Sequence, residues 1–270
     1  MPEGHTLYRL AEELRGAFAG TVVRASSPQG RFDASAALVD KEILESAESA
    51  GKHLFLRFGN DRIVHVHLGL IGSFRVGTAP APPAVGAVRL RLESDTAYAD
   101  LRGAIICELI DDDTMASILL KQGPDPLRSD ADAERAFARI RKSGKPIGAL
   151  LMDQSVLSGV GNVYRAESLF RARLHPLTPG NKVSKRRWNS LWADLVELMA
   201  YGVRTGRIDT VRAEHSPEAM GRAPRVDDHG GEVYVYRRQG QPCLVCGSTI
   251  ATRVLEGRNL FWCPRCQRRR

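Results

Sequence analysis

The N-terminal run Met1-Pro2-Glu3-Gly4-His5-Thr6 holds the residue types of a covalent catalyst. An initiator methionine followed by a small residue is usually removed, which would leave Pro2 with a free secondary amine. An α-amine titrates near pH ~8, so a useful fraction is an uncharged nucleophile at neutral pH, whereas a lysine needs burial to reach that state. Glu3 would stand beside it as a proton donor and acceptor. The plainer reading of the same residues is a loop ahead of a helix. A second group is Cys243-x2-Cys246, sixteen intervening residues, then Cys263-x2-Cys266. That is the spacing of a zinc ribbon, in which four thiolates close a tetrahedron and leave no position for substrate, so one structural Zn2+ is expected. A third is Gly159-Val160-Gly161-Asn162, read as a tight glycine turn whose following helix offers its amides to an anion. Asn162 would cap that helix or donate to a phosphate oxygen, and two plain helices joined by a turn is the structural alternative. The His65-x-His67 pair, on an alternating strand, is not read as a metal site.

These groups need elements to hold them. Thr6 to Phe18 carries Leu7, Leu10, Ala11, Leu14 and Phe18 on one helical stripe, which would place the Pro2 amine at the positive end of a helix dipole. Short alternating runs follow, weak at Val22–Arg24 and Ile43-Leu44, better at His53–Phe58, and clear at Arg62–Leu68 and Val88–Leu92. They imply a sandwich or barrel of short strands. In the last run Arg89 and Arg91 face away from Val88, Leu90 and Leu92. Thr78–Pro83 reads as a surface loop, the acidic run Asp111-Asp112-Asp113 as the end of the first domain, and Gly123-Pro124-Asp125-Pro126 as a linker. Beyond it the period becomes helical at Ala131–Lys142, Val163–Arg173 and Trp188–Tyr201. Thr205–Gly231 reads as a long mobile loop.

The 270 residues allow two or three domains, and 39 Lys and Arg against 31 Asp and Glu leave a net charge of +8, which favours an anionic partner, nucleic acid first. Around the cysteines the bias is sharper: Arg253, Arg258, Arg265, Arg268, Arg269 and Arg270 face the single acid Glu256. No stretch approaches the ~18 apolar residues of a membrane span and no signal pattern opens the chain, so a cytoplasmic, nucleoid-associated protein is expected. Five cysteines in a reducing compartment argue against disulfides, and Cys107 reads as a small buried residue on a strand.

Taken in order, Pro2-Glu3-Gly4, Gly51-Lys52-His53-Leu54-Phe55, His67-Leu68-Gly69-Leu70, Gly123-Pro124-Asp125, Asp153-Gln154 with Gly159-Val160-Gly161-Asn162, and the four cysteines resemble the formamidopyrimidine-DNA glycosylase and endonuclease VIII family of base-excision repair enzymes. The Pro-Glu-Gly-His-Thr start and the Arg258 to Cys263 stretch are similar to the endonuclease VIII branch. The resemblance implies an α+β chain. An N-terminal helix and eight-stranded β-sandwich (1–122) would precede a helix–two-turn–helix domain (123–231) and a zinc finger (232–270), with damaged double-stranded DNA in the cleft between them and the protein acting as a monomer. It implies Pro2 as the nucleophile on C1′, Glu3 as the acid that opens the sugar, Lys52 as a second acid and phosphate ligand, and Arg258 as the residue of δ-elimination. His67, Asn162 and Gly161 would contact phosphates, Leu70 would fill the gap left by an everted base, and Lys121 would touch DNA.

One stretch departs from the family. Where relatives acting on oxidised purines carry Asp-Pro-Arg-Arg-Phe-Gly, this chain has Asp100-Leu101-Arg102-Gly103-Ala104, keeping Arg102 as a DNA contact but lacking the second arginine and the phenylalanine. The expected activity is therefore a bifunctional glycosylase and lyase on oxidised pyrimidines. The same chemistry on 8-oxoguanine or formamidopyrimidine is the alternative within the class, and a non-catalytic damaged-DNA-binding protein the alternative outside it.

Overall fold

Helix α1 (Gly4–Phe18) buries Leu7, Leu10, Ala11, Leu14 and Phe18, the stripe its periodicity predicts. It begins two residues ahead of the expected Thr6, because Glu3 is its N-cap: Glu3 N donates to Thr6 Oγ1 at 3.4 Å, and Glu3 O accepts from Thr6 N at 2.9 Å. The Pro2-Glu3 pair thus sits directly on the helix N-terminus. The computed structural model describes residues 2–226 and 231–269, in two units, Met1–Lys121 and Gln122–Arg270. Met1 and Arg270, named above, lie outside the described residues, as does the end of the Thr205–Gly231 segment from 227 to 230.

In the first unit eight strands follow: β1 (Val22–Ser26), β2 (Glu42–Ala50), β3 (His53–Phe58), β4 (Arg62–His67), β5 (Ser73–Thr78), β6 (Val88–Glu93), β7 (Ala97–Arg102) and β8 (Ile106–Ile110). They pair antiparallel in the order β5-β7-β6-β1-β2-β3-β4-β8. The β1–β2 pairing joins two four-stranded halves, and their inner faces share one core with α1. Leu54, Leu56, Phe58, Val64 and Val66 come from one half, Leu90, Leu92, Ala99 and Leu101 from the other, and Leu10, Leu14 and Phe18 from the helix.

Two local expectations change, and one element was not foreseen. Arg91, placed by alternation on the polar face, is buried: its Nε and Nη2 donate to Asp100 at 2.7 and 2.8 Å, and its Nη1 donates to Pro82 O at 2.8 Å. The Ala- and Pro-rich stretch therefore meets β6 through that carbonyl, and a period of two cannot report which face a connecting segment will meet. Burial alone would raise the Asp100 pKa, but hydrogen bonds from Arg91 and Arg102 override it and hold the carboxylate below its usual range. Second, the acid run at 111–113 does not close the domain but starts helix α3 (Asp112–Lys121), with Asp111 Oδ1 accepting from Thr114 N at 2.8 Å. Acids are favoured in a first helical turn. Met115 of α3 covers Phe55 and Ile63 on the outer sheet face. Third, a short helix α2 (Asp33–Val39) packs on β1, buried through Ala36 and Val39 and too short to show a period.

The second unit contains α4 (Ala133–Arg141), α5 (Ile147–Leu150), α6 (Asn162–Arg171), α7 (Lys185–Thr205), α8 (Pro217–Met220) and a hairpin of β9 (Ala251–Leu255) and β10 (Arg258–Trp262). Every residue of α6 but Arg171 is buried, so it is the axis of the unit rather than a helix with one wet face. Glu167 on α6, with no exposed surface, accepts Tyr234 N at 2.7 Å, Val235 N at 2.8 Å, Tyr236 N at 2.8 Å and the Thr210 hydroxyl at 2.6 Å. The segment expected to be a mobile loop is instead tied down along its described length. Glu232 N donates to Asp209 Oδ1 at 2.7 Å, Arg222 pairs with Glu232 at 2.6 Å, and Arg212 N donates to Tyr234 Oη at 3.0 Å. These partners lie ten or more residues apart, beyond the reach of local pattern.

Glu167→Gln should lower the unfolding free energy by roughly 3 kcal/mol, because an amide nitrogen would then face main-chain donors in a site with no exposed surface. Urea unfolding followed by circular dichroism measures it; a loss below about 1 kcal/mol would show that the carboxylate does not hold these segments together.

Candidate active site and metal centre

In the first unit, α1 presents Pro2 half-buried and Glu3 fully buried at its N-terminus. His5, in the first turn of α1, is neutral at physiological pH: burial, and then the nearby Arg9 cation, lower its pKa to about 4. Lys52 lies in the two-residue turn between β2 and β3, closed by the Ala50–His53 pair. Gly51 takes a φ of +60°, which a first turn position of this kind demands and which glycine supplies without strain.

Behind Lys52 is a set of groups that the sequence did not assemble. His65, 2 % exposed, has its Nδ1 2.9 Å from Glu108 Oε1 and its Nε2 2.8 Å from His53 Nδ1. A carboxylate can only accept, so in the tautomer that serves both contacts His65 donates to Glu108 through Nδ1 and accepts from His53 Nδ1 on Nε2. His53 also meets His67 edge to face at 5.1 Å. Burial is the first cause of the lowered pKa of both, about 4 for His53, with the Lys52 charge acting on each. His67 Nδ1 accepts from Gly69 N at 3.0 Å, which leaves its other ring nitrogen for a ligand. The signal for this cluster was strand register: β4 sets His65 against Glu108 of β8 and His67 against His53 of β3.

The turn after β4 exposes Leu70 (48 %) and, more so, Ile71 (88 %). Ile105 (65 % exposed) lies against the same turn, since a Cβ built on Gly69 would fall 2.6 Å from its Cγ2. This end of the sandwich therefore offers three apolar side chains, of which the sequence named one. Arg102 is held back along its own sheet, donating to Asp100 Oδ2 at 2.9 Å and to Val85 O at 3.4 Å. Lys121 is exposed as the last residue of α3. Cys107 lies on β8 as expected but is half-buried rather than buried, and burial pushes its thiol up to about 12.

In the second unit the glycine turn is clamped by Gln154. Its Nε2 donates to Met152 O at 2.9 Å and Val160 O at 3.0 Å, and its Oε1 accepts from Gly159 N at 3.0 Å. Gly159 has the left-handed φ of +83°, while Gly161 is the N-cap of α6 at φ −118°, so only the first glycine is needed for conformation. Asn162 accordingly does not cap the helix. Its amide donates to Asn259 O at 3.1 Å and its oxygen accepts from the buried Arg165, which also donates to Asn259 O at 3.0 Å. The N-terminus of α6 is thereby fastened beside Arg258, the first residue of β10.

The Sγ atoms of Cys243, Cys246, Cys263 and Cys266 all lie within 4.8 Å of one another, with Cys243–Cys266 at 3.9 Å and Cys246–Cys263 at 3.5 Å. A tetrahedron with Zn–S bonds of about 2.3 Å has edges of about 3.8 Å, so the four sulfurs fit one Zn2+ with no position left over. Cys263 N donates to Gln267 Oε1 at 2.9 Å, and Gln267 Nε2 to Leu174 O at 3.0 Å, which binds the knuckle to the segment after α6.

Known proteins share this arrangement. The formamidopyrimidine-DNA glycosylase N-terminal domain matches residues 1–105, the formamidopyrimidine-DNA glycosylase H2TH domain residues 122–213, and the zinc finger found in FPG and IleRS residues 240–269. Endonuclease 8 1 of Mycobacterium tuberculosis is 49% identical over 274 residues, covering 99% of this chain and 100% of the relative. The formamidopyrimidine-DNA glycosylase of Thermus thermophilus is 33% identical over 276 residues, covering 99% of this chain and 98% of its own. A crystal structure of a Lactococcus lactis FPG mutant with a Fapy-dG containing DNA superposes with a TM-score of 0.79 at 24% identity, covering 99% of this chain and 100% of that one, a likeness of fold. With its helix, β-sandwich, H2TH domain and four-cysteine zinc finger all accounted for, the chain belongs to the formamidopyrimidine-DNA glycosylase and endonuclease VIII family of base-excision DNA glycosylase/AP lyases.

Proposed function

We propose that the protein removes oxidised pyrimidines from double-stranded DNA and then cuts the strand, as a monomer in the cytoplasm with the nucleoid as its working surface. The observation that carries the chemistry is Glu3, fully buried as the N-cap of α1, with Pro2 next to it. After loss of Met1 the Pro2 nitrogen attacks C1′, the C1′–base bond breaks, and the base departs with the bonding pair and takes up a proton. Glu3 protonates O4′ as the ring opens, leaving an iminium between Pro2 and C1′. A secondary amine cannot lose a further proton, so this iminium stays cationic and acidifies C2′–H. Loss of that proton expels the 3′ phosphate, a second elimination assigned to Arg258 expels the 5′ phosphate, and hydrolysis of the iminium restores Pro2.

Lys52 serves as a second acid and phosphate ligand, and His67, beside it, as a phosphate contact whose lowered pKa keeps it a neutral donor. Gly161, Asn162 and the α6 N-terminus take phosphates on the second unit, with Lys121 as a further contact. Zinc, held by the four cysteines, supplies no reaction step and fixes the hairpin that carries Arg258. No helix among the described residues is long and apolar enough to cross a membrane.

The choice of base rests on the apolar end of the sandwich. Extruding a nucleotide costs a few kcal/mol, and an apolar plug offsets part of it by restacking on the remaining bases. Leu70, Ile71 and Ile105 supply aliphatic surface, Gly103 and the buried Ala104 supply none, and Arg102 is already engaged by Asp100. Aliphatic contacts read no hydrogen-bonding edge, so the unpaired partner base should matter little. Excision of 5-hydroxyuracil should exceed that of 8-oxoguanine opposite each of the four bases in a single-lesion oligonucleotide panel; a clear advantage for 8-oxoguanine opposite cytosine would promote the purine-type reading.

Borohydride added to enzyme and lesion DNA should trap a covalent adduct, and Pro2→Gly or a retained N-terminal tag should abolish it. Undiminished trapping by either would remove Pro2 from its assigned role, and absence of any adduct in the native protein would favour the non-catalytic alternative. Cys263→Ser should lose the metal and DNA binding together, because ligation of this kind is coupled to folding. Arg258→Ala should keep the zinc and lose δ-elimination or affinity, and full activity in a zinc-free preparation would contradict the structural assignment.

A further inference from the structure

At the far end of α6 from Asn162, a cleft of about 690 Å3 opens between the start of α7 and the cysteine knuckle, lined by Arg173, Arg186, Arg187, Arg265 and Arg268. We infer that this cleft is a second binding site for the DNA phosphodiester backbone, and that it takes a segment other than the one held at Asn162 and Arg258. This rests on the proposal that the Asn162–Arg258 end holds lesion DNA.

Three observations carry it. The first is pairing. Two cations on the same elements have carboxylate partners: Arg171 pairs with Asp194 at 2.6 Å, and Lys185 with Glu134. None of the five cleft arginines forms such a pair among the described residues. Zinc with four thiolates carries a charge of about −2, so it balances at most two of the five. The rest are a surplus of positive charge facing open space, beside the N-terminus of the 21-residue helix α7, whose dipole adds to it.

The second is distance. Both ends of α6 are pinned to the zinc hairpin, Asn162 to Asn259 at one end and Leu174 O, just beyond α6, to Gln267 at the other. Ten residues of helix rising about 1.5 Å each separate the two ends by roughly 15 Å. A phosphate at Asn162 therefore cannot also reach the arginines. The third is the chemistry of the lining. Planar guanidinium forks match phosphate oxygens bidentately. The exposed apolar residue there is Val245, whereas an acidic protein partner would ask for a buried apolar anchor. Two backbone sites on one unit let the protein hold a second duplex before it leaves the first, which is direct transfer between segments.

The test uses the full zinc-loaded protein and the triple variant Arg173→Asn, Arg186→Gln, Arg187→Gln, whose positions are exposed or half-exposed and lie outside the catalytic groups. Its release from a labelled duplex with a stable abasic analogue is followed as unlabelled duplex is added. The native rate should rise with competitor concentration and the variant rate should stay flat. The salt dependence of non-specific affinity should fall by roughly 2–3 in log–log slope, at about 0.9 per phosphate contact. Borohydride trapping on a short lesion duplex and the zinc content should match the native protein. If trapping fails in the native protein too, the catalytic reading is wrong while transfer still reports on the cleft. Equal competitor dependence in the two proteins, or faster release with polyglutamate than with DNA, would overturn the proposal.

Discussion

A carboxylate with no exposed surface organises the second half of the molecule. Glu167 on α6 accepts three consecutive main-chain N–H groups, from Tyr234, Val235 and Tyr236, and the Thr210 hydroxyl. A charge can sit in an apolar interior only when its lone pairs are filled, and here four donors converge on two oxygens. They come from segments 43 to 69 residues away in sequence, so the one side chain brings the segment after α7 and the approach to the zinc hairpin against the central helix. Arg165, two residues earlier on the same helix, spends its guanidinium on Asn162, Gly148 O and Asn259 O. The polar content of α6 is thus structural glue.

That glue explains how a short helix can present its N-terminus with accuracy. Gln154 clamps the glycine turn from one side, Asn162 and Arg165 clamp it to β10 from the other, and the zinc knuckle holds the far end through Gln267. Side chains locked by packing and hydrogen bonds have little entropy left to lose, so the geometry of this turn is settled in advance. Asn162 shows the trade-off: an amide expected to serve a ligand already holds two protein partners.

The sandwich solves a different problem, that of holding the start of the chain in place. Termini fray unless tied down. Here the N-cap hydrogen bonds of α1 and the burial of its stripe fix Glu3, and with it the residue before. Lys52 is fixed by a turn rather than by packing, through the left-handed φ of Gly51. Around it His53 and His67 remain neutral, because burial and the lysine charge both oppose protonation, so they add polarity without competing cations.

Periodicity and spacing alone determined much of this. The α1 stripe, most strand runs, the α7 stripe and the four cysteines depend on residues close in sequence, and local geometry repeats with a period that can be read directly. The ordered motifs supplied the family and so the eight-stranded sandwich. Only the tertiary structure decided the rest, because it turns on partners far apart in the chain. Arg91 alternates like a surface residue and is buried because Asp100 and the Pro82 carbonyl meet it. His65 gains meaning only when register sets it against Glu108. Ile105 joins Leu70 and Ile71 at one end of the sandwich because Gly69, without a Cβ, lets it lie against their turn. Arg173, Arg186, Arg187, Arg265 and Arg268 are scattered over nearly a hundred positions, and they become one cleft because Gln267 ties the knuckle to the end of α6.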